Sequence, residues 1–268
     1  MNKIKKKFQK YFAIFGIHLK NRLVYLYDIF FSGIFMVIII FIFLNLWKAV
    51  YGSGQHVKLC GYTLSDMIWY LVIAEAVILS LPHINREIDE QVKSGTIACY
   101  LIRPVNFLFY KYMQYLAEVI LKLPINLIIG GILGLIFIGV PQSTINILPL
   151  LLIIYLAITL DFIIKMLIGI MAFWIEDTGP IAWIYGKMIF TLGGLFIPLE
   201  FFPDYLKNIC MKLPFRLIPY SISRNCLNFK MDVFTETVWW FMIWLIPLLV
   251  LLTVLYAKGV KKLDIHGG

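Results

Sequence analysis

The chain is expected to be an all-α integral membrane protein with six transmembrane helices, on three observations. Six apolar runs, at 29–47, 64–82, 113–138, 147–170, 181–199 and 238–257, occupy most of its 268 residues. A helix rises about 1.5 Å per residue, so roughly 20 apolar residues cross a hydrocarbon core of about 30 Å. Charged residues are 15% of the chain against 61% hydrophobic, where a soluble domain carries about 25% charge. The runs are continuously apolar instead of alternating with period two. That selects helices over a closed barrel, the other way to satisfy backbone groups in lipid. A single domain over 1–268, with no soluble domain attached, is expected.

Residues 1–25 precede the first run. Ile4, Phe8, Tyr11, Phe12, Phe15 and Leu19 recur at three- and four-residue steps among Lys and Arg, as in an amphipathic helix lying in a membrane interface. The basic stretch is too long for a signal-peptide n-region, and no small-x-small site follows Trp47, so the segment is expected to be retained. The loop after the first run contains GSGQ and reads as a connector. The second run carries Glu75 and ends at Pro82-His83. The third opens with Glu118 and Lys122 and continues through Gly130, Gly131 and Gly134, small residues that permit close helix approach. A tight turn at GVPQST makes the third and fourth runs a hairpin. WIEDTGP is a short acidic turn before the fifth run. The stretch 200–236 holds Pro203, Pro214 and Pro219 and too many large hydrophobes for free solvation. It reads as one or two short helices re-entering the outer leaflet. Trp239, Trp240 and Trp244 open the sixth run as an aromatic belt.

Lys and Arg set the orientation. Fourteen lie in the N-terminal segment, the 2–3 loop and the C-terminal tail, and seven in the loops of the opposite side. Both termini are therefore expected in the cytoplasm of a multi-pass plasma-membrane protein. The net charge of +9 suits an anionic inner leaflet. Nucleic acid is not expected as a partner, because the basic residues flank spans and form no separate patch. Cys60, Cys99, Cys210 and Cys226 show no metal-ligand spacing. Cys210 and Cys226 share an outer loop and can pair, although isolated small hydrophobes are the plainer reading.

No H-E-x-x-H, G-x-S-x-G or phosphate-binding G-x-x-x-x-G-K-[ST] occurs. No catalytic residue, metal ligand or cofactor site is expected, and the chain is not expected to be an enzyme. Its polar candidates are of two kinds. Inside the runs lie Glu75, Glu118, Lys122, Asp161, Lys165 and Lys187. Intramembrane charges are costly and mark function or interhelical pairing. Glu118–Lys122 and Asp161–Lys165 are four apart and can pair along one helix face, whereas Glu75 and Lys187 have no local partner. Between the second and third runs, 84–106 concentrates Arg86, Glu87, Asp89, Glu90 and Lys93 on a short helix. A break follows at Ser94-Gly95-Thr96, and an apolar stretch closes at Arg103-Pro104. On charge alone this is either a solvated loop or a helix that receives force from a soluble protein.

Glu90 with Glu87 upstream, then Gly95-Thr96, Leu101 and Pro104, resembles the corresponding loop of ABC-2 type exporter permeases whose ATPase is a separate chain. The later GGLFIPLEFFPDYLKNICMKLPFRLIPYSI is similar to the outer re-entrant region of that superfamily at Pro198, Phe202, Pro203, Leu213, Pro214 and Pro219. The resemblance covers nearly the whole chain. It implies that the 84–106 loop is a coupling helix seated on an ATPase subunit, with Arg86, Glu87, Glu90, Lys93, Gly95, Thr96 and Pro104 as its candidate contacts. It further implies two permease subunits, identical or homologous, with two ATPases that hold the ATP and magnesium, exporting an amphiphilic or hydrophobic substrate. The alternative is a gradient-driven secondary transporter or channel that uses Glu75, Asp161 and Lys165.

Overall fold

A computed structural model describes residues 2–23, 26–52, 58–141 and 146–266, with side chains described over 9–21, 31–52, 58–141 and 146–262. The basic side chains before residue 8, those of Ile4 and Phe8, most of the GSGQ connector and the tip of the GVPQST turn lie outside the described residues. The described chain is helical: α1 (Asn2–Leu23), α2 (Leu26–Tyr51), α3 (Leu64–Ser80), α4 (Ile84–Lys93), α5 (Ile97–Leu101), α6 (Phe107–Phe137), α7 (Ile147–Ile170), α8 (Gly179–Thr191), α9 (Asp204–Cys210), α10 (Pro219–Leu227) and α11 (Met231–His266).

Local chemistry places the helix ends. Thr63 and Asp66 form a reciprocal capping box at the start of α3, the Asp66 amide donating to the Thr63 hydroxyl at 3.2 Å and the Thr63 amide to the Asp66 carboxylate at 3.0 Å. Pro82 ends α3, because the residue before a proline is driven extended, and Leu81 has φ −80° and ψ 118°. Asn106 caps α6, accepting from the Phe109 amide at 3.0 Å. Pro180 sits in the first turn of α8, where its missing N–H costs nothing.

Among the described residues five helices are long and apolar enough to cross a membrane, carried by α2, α3 with α4, α6, α7 and α11. The expected single span at 181–199 is corrected. Its helical part, α8, has 13 residues, about 20 Å of rise against the ~30 Å core. The run breaks at Gly193-Gly194, where Gly194 takes φ +71° and a Cβ on Gly193 would stand 2.3 Å from the Ile189 carbonyl oxygen. A left-handed glycine ends a helix whatever the hydropathy around it. After it come a 3₁₀ turn at Leu199–Phe201, α9, a second 3₁₀ turn at Pro214–Leu217, and α10.

α3 is the most enclosed crossing helix and packs against α2, α6 and α10; α7 packs against α4 and α11. Two of the three α6 glycines permit the expected close approach. A Cβ on Gly130 would meet the Met36 methyl of α2 at 2.1 Å, and one on Gly134 would meet the Trp69 ring of α3 at 3.0 Å, while Gly131 faces open space. α6 and α7, the expected hairpin, touch mainly through side chains, the Tyr112 hydroxyl meeting Thr159 at 2.8 Å. α1 lies along the start of α6, with the Tyr11 and Phe109 rings edge-to-face at 4.6 Å and His18 hydrogen-bonded to the Tyr110 hydroxyl at 3.0 Å. Phe12 and Ile17 of α1 stay exposed. All four cysteines are free, and Cys210 and Cys226 are buried in different apolar clusters, so the possible pair does not form.

Candidate functional site

The helix after the α3 break has a sharp division of faces. Ile84, Asn85, Ile88 and Asp89 of α4 are buried, while Arg86, Glu90 and Lys93 point outward. The buried face fits α7 because Gly169 leaves room: a Cβ there would stand 2.8 Å from the Cβ of Ile88 and 3.1 Å from the Asn85 carbonyl oxygen. α4 stops where Ser94 donates back to the Glu90 carbonyl oxygen from both its amide (2.9 Å) and its hydroxyl (2.7 Å). Gly95 then turns the chain at φ +72°, a conformation that a Cβ disfavours. α5 follows, with Ile97 buried beneath it and Ala98, Cys99, Ile102, Arg103 and Pro104 exposed. Ile102, a large hydrophobe, is 84% exposed.

Ion pairs fasten this segment at two points. Glu87, one of the candidate contacts, is partly buried and also holds the segment to α6. Its carboxylate accepts from Lys111 at 2.6 Å, Gln114 at 2.8 Å and Gln91 at 3.0 Å. Lys111 of α6 is wholly buried and also lies 4.8 Å from the centre of the Tyr100 ring of α5. Asp89 accepts from the Thr178 hydroxyl at 2.8 Å and pairs with Lys93 at 2.6 Å, and Lys93 reaches Asp177 at 3.3 Å. The Gly179 amide and the Lys93 ammonium together hold the Asp177 carboxyl below its ordinary range. The α4–α5 unit is thus tied to the start of α6 and to the turn before α8. Its outer surface, carrying Arg86, Glu90, Ser94, Gly95, Thr96, Ile102 and Pro104, faces outward.

A second polar centre lies deeper. Lys165 pairs with Asp161 at 2.8 Å and donates to the Pro82 carbonyl oxygen at 3.0 Å. Asp161 also accepts from Tyr185 of α8 at 2.7 Å and from Tyr115 of α6. One buried carboxylate therefore joins α6, α7 and α8, and its lysine reaches the α3–α4 break. Each member has a partner, which is the condition for a buried charge to be tolerated.

The remaining intramembrane candidates separate. Glu118 and Lys122 pair on α6 at 2.6 Å. Glu75 is 2% exposed in α3, and its Oε1 has no hydrogen-bond partner. Lys187 is exposed on α8, its ammonium 5.4 Å from the Trp183 ring centre and 5.7 Å from that of Phe190. Lys111 stands out in the sequence only as one of the basic residues that set orientation, and Gln114, Tyr115, Tyr185 and Asp177 do not stand out there at all. A lysine beside an apolar run with no acid three or four residues away on its own helix was the available signal for Lys111. Among the described residues no group of three or more His, Cys, Asp and Glu is placed to hold a metal ion.

The far end of the bundle is also organised. Glu200 accepts from the Tyr220 hydroxyl at 2.7 Å and lies 3.5 Å from Arg224. Tyr70 of α3 donates to the Gly194 carbonyl oxygen, holding the glycine break. Trp244 of α11 donates to the Lys212 carbonyl oxygen at 3.0 Å.

Comparison with known proteins agrees with this architecture. A search of curated proteins returns no match. The family model described as ABC-2 family transporter protein matches residues 34–267, from within α2 to the end of α11. This multi-pass membrane chain, a transmembrane permease of ABC type, belongs to the ABC-2 transporter family.

Proposed function

We propose that this chain is the permease subunit of an ATP-driven exporter, coupled through α4 and α5 to a separate ATPase subunit. The observation that carries the reading is the α4–α5 unit, clamped inward through Glu87, Asp89 and Lys165 while presenting Arg86, Glu90, Gly95, Thr96 and Ile102 outward. A push on its outer face is delivered to α6 through Lys111, to α7 through Gly169, and to the α3–α4 break through Pro82. Closure of an ATPase pair on ATP and magnesium supplies that push, and hydrolysis stays in the partner. Two permeases, identical or homologous, stand with two ATPases in the plasma membrane with both termini cytoplasmic. The cargo is an amphiphile or hydrophobe moving outward.

The sixth crossing belongs to the same proposal. α8 enters the membrane from the α4 side, and the Gly193-Gly194 break with α9 and α10 forms a re-entrant outer element that completes its passage. Backbone that is irregular at membrane depth is tolerated where protein covers it, and Tyr70 covers the Gly194 carbonyl oxygen.

The test is Gly95→Pro together with Glu90→Lys. Proline cannot reach φ +72° and loses the amide that donates to the Val92 carbonyl oxygen at 3.1 Å. Both positions are exposed, so insertion should be normal. Mild-detergent capture should retain a stoichiometric P-loop ATPase with the wild type and lose it with the variant, and export should cease. Normal ATPase assembly and export in the variant would remove the coupling role.

A further inference from the structure

Between α6, α7 and α11 lies a cleft of about 780 Å³. Tyr112 of α6, Thr159 of α7, and Ile246 and Leu249 of α11 line its walls, and Tyr11 and Asn106 line its end nearest α1. The volume falls within the range of small-molecule sites and is far larger than the voids left by ordinary close packing. The wall hydroxyls are already spent. The Tyr112 and Thr159 hydroxyls bond to each other at 2.8 Å, and Thr159 also donates to the Tyr155 carbonyl oxygen at 2.8 Å. What remains is hydrocarbon surface, so the occupant of the walls is hydrocarbon. Access is lateral, since Ile246 is 61% and Leu249 50% exposed.

The α1 end of the cleft has the opposite character. The Asn106 amide donates to the Tyr11 hydroxyl at 3.3 Å. Next to Tyr11, Lys10 donates to the Pro104 carbonyl oxygen, which fixes an exposed ammonium beside the mouth. Arg103 is exposed in the same loop, its guanidinium 4.8 Å from the Tyr100 ring centre. An apolar slot open to the bilayer, with Lys10 at its interfacial end and the exposed Arg103 in the adjoining loop, matches one kind of molecule. We propose that the cleft binds one acyl chain of an anionic phospholipid from the leaflet on the α1 side, its phosphate held by Lys10 and Arg103. A lipid seated there bridges α1, α6 and α11. Its binding does not depend on ATP coupling or on the direction of transport.

The test uses the full chain in mild detergent, offered dioleoyl phosphatidylglycerol and dioleoyl phosphatidylcholine in equal amounts, with bound lipid counted by native mass spectrometry. The wild type should keep one phosphatidylglycerol through detergent exchange and prefer it at least tenfold. Ile246→Trp with Leu249→Trp fills the slot from positions already half exposed and should lose that lipid. Val254→Trp, 45% exposed on the same helix but outside the cleft, should keep it. Lys10→Glu with Arg103→Glu should erase the preference for phosphatidylglycerol. A photoreactive group on the acyl chain should label peptides of α6, α7 and α11, a readout that needs no variant. Absence of retained lipid in the wild type, equal retention of the two lipids, unchanged retention in the filled variant, or labelling elsewhere would each overturn the proposal.

Discussion

Asp161 is fully enclosed, and its two oxygens serve Lys165, Tyr115 and Tyr185. Removing one partner of such a pair leaves a buried charge uncompensated, at a cost of about 3–5 kcal/mol. Lys165→Met should therefore lower the thermal unfolding midpoint of the purified chain markedly. Adding Asp161→Asn should recover most of the loss, because an amide oxygen still accepts from a tyrosine hydroxyl and no charge is left behind. A Lys165→Met protein that melts with the wild type would show that the pair is not a lock. At this scale the sequence reveals pairs that share a helix: both i, i+4 pairs are present as expected. It conceals partners from other helices. Nothing local to Asp161 identifies Tyr185, 24 residues on, and nothing local to Glu87 points to Lys111, 24 residues away, so the sequence does not show that Glu87 anchors its segment to α6.

Among the elements, α4 shows how little sequence is needed to seat a helix. Its inward side is only Ile84, Asn85, Ile88 and Asp89, and α7 meets it with Gly169. Overpacking a tight contact costs about 1–3 kcal/mol. Gly169→Val should impose such a cost in thermal unfolding and, by lifting α4 from α7, weaken retention of the proposed ATPase. Gly131→Ala, on a glycine with open space around it, should change neither measurement. Equal behaviour of the two variants would sever the link between α4 seating and assembly. The helices themselves are legible from hydropathy, and the α4–α5 break is legible from Ser94-Gly95-Thr96. The fifth run is not, because a window average registers Gly193-Gly194 as mildly apolar and cannot register a positive φ. The cleft is equally hidden, since it arises from the spacing of three helices that no local pattern encodes.

The molecule as a whole has two chemically distinct ends, and its own cysteines report on them. α1, the α4–α5 unit, the 171–178 turn and the end of α11 gather at one end. Lys10 meets Pro104, Lys93 meets Asp177, and Tyr256 of α11 stacks on Phe107 with ring centres 5.8 Å apart. The start of α3, Gly139 and the 194–230 segment gather at the other, where Trp69 donates to the Gly139 carbonyl oxygen at 3.1 Å and the Tyr62 and Phe201 rings stand 6.3 Å apart. Basic residues stand at both ends, Arg86, Lys93, Arg103 and Lys111 at the first and Lys207, Lys212, Arg216, Arg224 and Lys230 at the second, so labelling has to decide which end faces the cytoplasm. Cys60 is exposed at the second end and Cys99 at the first, while Cys210 and Cys226 are buried. A membrane-impermeant maleimide applied to intact cells should label Cys60 alone, and Cys60→Ser should abolish the signal. Permeabilised membranes should add Cys99, and added ATPase should then protect it, because Cys99 lies on the face proposed to receive that subunit. Labelling of Cys99 from outside would invert the orientation. Labelling from inside that the ATPase fails to block would leave the orientation intact and move the docking surface away from α5.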